Sequence, residues 1–146
     1  MAQTYFGCTV RAGSDTLTDT TDGGFMVLAQ TTTVTTVGAG TAVSSTITIP
    51  AESQIIDLII DMVTVPSFGT ATKVDATIGT VAAGTQYLSA TDVTLVGRTA
   101  LAFTAAQLTA MSNVSTNKSV VITIDPDGTV ASQGTFRLTV IYAQKV

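Results

Sequence analysis

An antiparallel β-sandwich or barrel is the fold class this sequence predicts, and three observations carry that reading. Apolar residues alternate with polar ones at a period of two through most of the chain beyond residue 24. The alternating runs are rich in Val, Ile and Thr, whose branched Cβ fits a pleated surface. Turn signals built on Gly, Pro, Asp and Ser interrupt them every 8–15 residues. Strands are not regularly interleaved with helices, which argues against a parallel α/β architecture. At 146 residues the chain has the size of one domain.

Residues 25–37 read as a first long strand, ended by Gly38-Ala-Gly40. Residues 41–49 alternate at Val43, Ser45, Ile47 and Ile49, and Pro50 stops them. Residues 54–65 form the most apolar run. A plain alternation puts Ile56, Leu58, Ile60 and Met62 on one face and Ile55, Asp57, Ile59, Asp61 and Val63 on the other. Apolar residues on both faces predict a central strand covered on each side.

Pro66-Ser-Phe-Gly69 is a turn, residues 72–80 alternate through Val74, Ala76 and Ile78, and Ala82-Ala-Gly84 turns again. Residues 92–96 are expected to be a short strand with Val93 and Leu95 on one face. One helix near 104–111 is predicted by a capping box, Thr104 with Gln107 three residues on. Residues 119–124 are a strand, Asp125-Pro-Asp-Gly128 suits a type I turn, and residues 134–143 form a final strand through Phe136, Leu138, Val140 and Tyr142. The expected core is Val27, Val43, Ile47, Ile49, Ile56, Leu58, Ile60, Ile78, Leu95, Val121, Leu138 and Val140.

The chain divides into an N-terminal arm, 1–24, and a β-sandwich domain, 25–146. Residues 11–24 hold a single large aliphatic side chain, Leu17, among Asp15, Asp19, Asp22 and four Gly or Ser, too little to bury a core of their own. Tyr5, Phe6, Cys8 and Val10 precede that spacer. An apolar tip on a polar spacer reads as an arm that docks elsewhere, with Tyr5, Phe6, Val10 and Leu17 as the docking residues and the aromatic pair as anchors.

Composition narrows the function. Only 11% of the residues are charged, the formal net charge is −4, and 30 residues are Thr. There is no His, no Trp, one Cys and one Glu. No Ser-His or Cys-His dyad can form, and neither can a zinc site of the usual His/Cys kind. Asp57 and Asp61 share a strand face, but at ~3.4 Å per residue they stand about 13–14 Å apart, beyond the separation of paired glycosidase carboxylates. Cys8 has no neighbouring base in sequence and reads as a small apolar residue. Neither catalytic, metal nor cofactor residues are assigned, and a non-enzymatic protein is expected.

The six cations, Arg11, Lys73, Arg98, Lys118, Arg137 and Lys145, are scattered singly and make no nucleic-acid surface. No apolar run approaches the roughly 20 residues of a membrane helix. The N-terminus lacks the basic flank and apolar stretch of a secretory signal. Asn113-Val-Ser115 and Asn117-Lys-Ser119 match the glycosylation pattern and are read as loop residues. A Thr-rich surface with little charge is easily desolvated, and it lacks the usual charged guards on strand edges. A homo-oligomer with large permanent contacts is expected.

Several segments carry a resemblance to a known family. These are 7–24, Ile49-Pro-Ala-Glu-Ser-Gln-Ile-Ile-Asp57, Gly97-Arg98, Phe103-Thr-Ala-Ala-Gln-Leu108 and Val140-Ile-Tyr-Ala-Gln144. In style and order they are similar to the decoration, or cement, and head accessory proteins of tailed bacteriophages. The resemblance implies a jelly-roll-like sandwich, a homo-oligomer that is most often a trimer, and no catalysis. It implies location on the capsid surface of the virion after synthesis in the host cytoplasm, with the major capsid protein or a neighbouring virion protein as partner. A receptor- or glycan-binding module of a fibre or collar appendage is the alternative, against which the lack of Trp weighs.

Overall fold

The structure, a computed structural model, describes residues 25–38, 40–112, 114 and 116–145. Eight strands and one helix follow in order. They are β1 (Phe25–Thr35), β2 (Val43–Ile49), β3 (Ser53–Thr64), β4 (Val74–Gly79), β5 (Leu88–Asp92), β6 (Gly97–Thr99), α1 (Ala105–Ser112), β7 (Lys118–Pro126) and β8 (Thr135–Lys145). One sheet has the order β1-β8-β3-β6 and the other β2-β7-β4-β5. All pairings are antiparallel.

In this arrangement β1 pairs β8, β2 pairs β7, β3 pairs β6 and β4 pairs β5. The first four strands therefore run against the last four as one long hairpin, rolled into two sheets. That is the connectivity of an eight-stranded jelly roll. The fold class expected from the alternation and turn pattern is the one observed.

The core lies between the sheets. Leu58, Ile60, Met62, Phe136, Leu138, Val140 and Tyr142 from one sheet meet Ile47, Ile49, Val74, Ile78, Leu88, Val120, Ile122 and Ile124 from the other. Leu58 is 2% exposed, as its mid-strand position predicts.

Three expected core residues are exposed, Val27 at 65%, Ile56 at 50% and Leu95 at 82%, and a fourth, Val121, is buried but lies outside the cluster, alternating with the inward Val120 and Ile122. A register shift between Ile55 and Asp57 causes the second case. The bulge sets two residues of β3 against Ile141 of β8, so the inward set is Ile55, Leu58, Ile60 and Met62, and Ile56 turns out. Val27 fails because the inward set of β1 is Leu28, Gln30, Thr32 and Val34. Gln30 bonds Tyr142 Oη at 2.7 Å, Thr32 bonds Ser45 of the facing sheet at 2.6 Å, and Val34 is buried. Val43 is half-buried and packs on the core edge.

Two expected local structures also differ. The short strand is β5, ending at Asp92, and residues 93–96 form the turn into β6, with Val93 buried. Asp125-Pro126 belongs to β7, where Asp125 pairs Asp75 and Pro126 pairs Val74; the chain bends only at 127–128. Pro126 lies beyond the last pairing of β7 with β2, at Ile124, so only β4 flanks it there.

The helix has the expected cap. Gln107 N–H donates to Thr104 Oγ1 at 3.3 Å, and Thr104 N–H donates to Gln107 Oε1 at 2.8 Å. Gln107 is buried, and its amide nitrogen also donates to Thr85 O and Ser89 Oγ, fastening α1 to the entry of β5. The segment after α1 joins the start of β3 through the Ser53–Val114 bridge. At the opposite end, Thr36 and Gly134 exchange hydrogen bonds, and Gly69, Thr70 and Ala71 donate to Thr129 O. There Gly40 has φ +66°, and a Cβ on it would stand 2.6 Å from Gly128 O, so only glycine fits.

Candidate interaction surfaces

The two lateral sides of the sandwich are built differently. On one side lie the edge strands β1 and β2. Their sequences, FMVLAQTTTVT and VSSTITI, contain no charge and no proline. β1 is eleven residues long and pairs β8 along its whole length, and among the described residues no strand pairs its other edge. Along the outward face of this sheet Val27 lies opposite Ala143, Ala29 opposite Ile141 and Thr31 opposite Thr139. Hydroxyls replace charges here, and Ser44 bonds Thr123 at 2.8 Å in the same style.

On the other side the edge strands are short, five residues in β5 and three in β6. Charge gathers beside them. Asp61 of β3 lies between Arg98 of β6 and Arg137 of β8, at 3.1 and 2.9 Å. Thr33, Arg137, Asp61 and Arg98 thus form one row across four strands. The guanidinium of Arg137, then that of Arg98, holds the Asp61 carboxyl below its ordinary pKa.

In the second sheet Asp92, Asp75 and Asp125 lie directly opposite one another in register. Lys73 Nζ approaches Asp75 at 2.6 Å, and that contact raises the lysine pKa. Asp127 receives the backbone N–H groups of Thr72 and Lys73 and the Thr72 hydroxyl, and is lowered for that reason. Asp92 is lowered by the Thr94 hydroxyl and N–H. Among the described residues, no group of three or more His, Cys, Asp or Glu is placed to hold a metal ion.

The pairing of β3 with β6 covers only residues 60–62 of β3. Where β6 ends, a groove of about 250 Å³ opens, lined by Asp57, Leu58, Ile59, Arg98, Thr99, Leu101 and Phe103. Asp57 turns its carboxylate back onto Leu58 N–H at 2.8 Å. Asp57 and Asp61 therefore do separate structural work, one on its neighbour's amide and one between two arginines.

At the far end of the same sheet, Val63 at 56%, Val65 at 46%, Leu95 at 82% and Val96 at 69% exposure follow or precede the paired residues Met62 and Gly97. These four exposed apolar residues flank one strand pair, which gathers apolar surface at that corner. Leu95, expected in the core, projects into solvent because it sits on the turn between β5 and β6.

The sequence-assigned docking residues Tyr5, Phe6, Val10 and Leu17 lie outside the described residues, as do Cys8, Asp15, Asp19, Asp22 and the arm as a whole. Of the two glycosylation patterns, Asn113 and Ser115 also lie outside. Asn117 has a structural role, accepting Ala51 N–H at 2.8 Å. No family model matches the chain, and neither a curated protein nor a solved structure matches it.

Proposed function

We propose that this protein is a non-enzymatic virion structural protein that decorates or cements the capsid surface of a tailed phage through contacts of an oligomeric β-sandwich. The observation that carries the reading is the unguarded β1/β2 side. An uncharged, proline-free edge of eleven residues is an aggregation hazard in a free monomer and an asset in a permanent assembly. The family resemblance supports it, and so, by analogy, does the jelly-roll order, which recurs in viral coats and lectins. The Val63, Val65, Leu95 and Val96 corner supplies a separate apolar contact for a capsid or neighbouring virion protein.

Light scattering after size exclusion, on the protein alone and mixed with assembled capsids, tests the reading. An oligomer, trimeric on the resemblance, that co-migrates with capsids is expected. A monomer that ignores capsids contradicts it.

The groove beside Phe103 favours a second reading, a glycan-binding module of a fibre or collar. A half-buried aromatic ring flanked by Asp57 and Arg98 can stack a sugar and bond its hydroxyls. Binding on a glycan array that is lost in Phe103→Ala would move the assignment there.

A further inference from the structure

We infer that the open edge of β1 accepts residues 5–10 of a second copy of this chain as an added strand, so that each copy's arm completes its neighbour's sheet. This rests on the oligomeric part of the reading above and names the contact that makes the oligomer. Three observations lead to it.

The first is the edge itself. β1 is paired to β8 from Phe25 to Thr35 and, among the described residues, bounds its sheet, while the opposite boundary is a three-residue strand carrying Arg98. The second is the half-finished seam between β1 and β2. Leu28 and Val43 pack against the core but stay only half-buried, and Gln30 and Thr32 reach inward with hydrogen-bonding groups. A strand laid beside β1 would cover that seam with its inward side chains.

The third is the arm's own pattern. In Tyr5-Phe-Gly-Cys-Thr-Val10, Phe6, Cys8 and Val10 alternate with Tyr5, Gly7 and Thr9. One apolar face and one mixed face is the pattern of a half-buried strand. No charge or proline interrupts it.

The choice of a neighbour over the same chain follows from length. Folding back in cis would make a hairpin with residues 11–24 as its loop, fourteen residues where hairpin loops run to about 2–5. The same fourteen residues extended reach roughly 45 Å, enough to cross to an adjacent copy. Arm-to-edge contacts are head-to-tail, and such contacts close into rings when the rotation allows. A trimer is one such ring.

Cys8 is the only cysteine, which makes the test direct. In the full chain, Gln30→Cys and, separately, Thr46→Cys on the outward face of β2 are treated with a short bis-maleimide. Each is prepared as an equal mixture of unlabelled and ¹⁵N-labelled protein. The expected result is a crosslink from Cys8 to position 30 in mixed-isotope peptides and none to position 46. In parallel, Phe6→Asp/Val10→Asp should convert the oligomer to monomer while the β circular dichroism is retained.

Crosslinks to position 30 only within one isotope class would show that the chain's own arm occupies the edge, and would overturn the inference. So would equal crosslinking at both positions, or an oligomer unchanged in Phe6→Asp/Val10→Asp. Capsid binding is scored apart. Co-migration with capsids without the position-30 crosslink refutes the strand exchange alone, whereas the crosslink without co-migration refutes the virion role and leaves the exchange standing.

Discussion

The two lateral sides of this sandwich solve the edge problem in opposite ways. Beside β5 and β6 the edges are short, and polar groups surround them. Gln107 ties the helix to Thr85 and Ser89, Asp61 clasps two arginines, and Lys73 sits by the Asp92–Asp75–Asp125 row. Beside β1 and β2 the edges are long, and eighteen consecutive strand positions, eleven and seven, carry no charge. Low charge in this chain is not evenly spread: β1 and β2 themselves carry none, while Asp75, Asp92, Arg98 and Lys73 lie in or beside the short edge strands.

Among substitutions, the largest effect is expected in the core that both sides share. Leu58→Ala should lower stability by about 2–5 kcal/mol in denaturant melts, through lost burial and the cavity left behind. A loss below ~1 kcal/mol would mean the two sheets are not packed at that position.

Next in size is the guarded side. Gln107→Ala removes the reciprocal cap of α1 and two bonds to the entry of β5, and should cost about 1–3 kcal/mol. Hydrogen exchange should rise in residues 85–92 and stay unchanged in β1. Equal acceleration in both would show that the sides are not independent.

Acid should act on the guarded side too. Asp61, Asp92 and Asp127 all hold their protons less tightly when folded than the ordinary carboxylate does. Their contribution is therefore complete above the unfolded pKa, about 3.9, and is lost as the pH falls through the lowered folded values. The melting temperature should be level from about pH 5 to 8 and fall below about pH 4. β1 and β2 carry no titratable group to add to that fall. Asp61→Asn should flatten part of the acid limb and cost about 1 kcal/mol or less at neutral pH, since both arginines are about half exposed or more.

Much of this architecture was legible in the sequence. β2, β3, β4, β7 and β8 follow from alternation, and the helix from Thr104 and Gln107. What failed did so for local reasons. Ile56 lies at a bulge, which a strict period of two cannot anticipate. β6 is Gly-Arg-Thr, too short and too polar to register, and β5 has Leu88 as its single large apolar residue. Leu95 and Val96 supplied the apolar pair that a strand was expected to contain. In β1 the phase was hidden because Gln30 and Thr32 point inward, where Gln30 bonds Tyr142 of the neighbouring strand and Thr32 bonds Ser45 across the seam. Of the candidate surfaces, the unguarded edge was foreseen from composition, while the Val63–Val96 corner and the groove depend on where β6 stops.

Leu95→Ser with Val96→Ser should shift stability by less than about 0.5 kcal/mol, the smallest effect here, since both side chains are mostly in solvent. Capsid attachment should fall sharply with the fold intact.

The central claim is that assembly uses the β1/β2 side. Light scattering on three full-length proteins tests it most directly: the natural chain, Gln30→Lys and Leu95→Ser/Val96→Ser. An inward lysine at position 30 places a charge in the seam and on the edge where a strand would add. The natural chain and the double variant should be oligomers of one size, and Gln30→Lys a folded monomer. An oligomer that survives Gln30→Lys but dissociates in Leu95→Ser/Val96→Ser would contradict the account and move the assembly contact to the other side of the molecule.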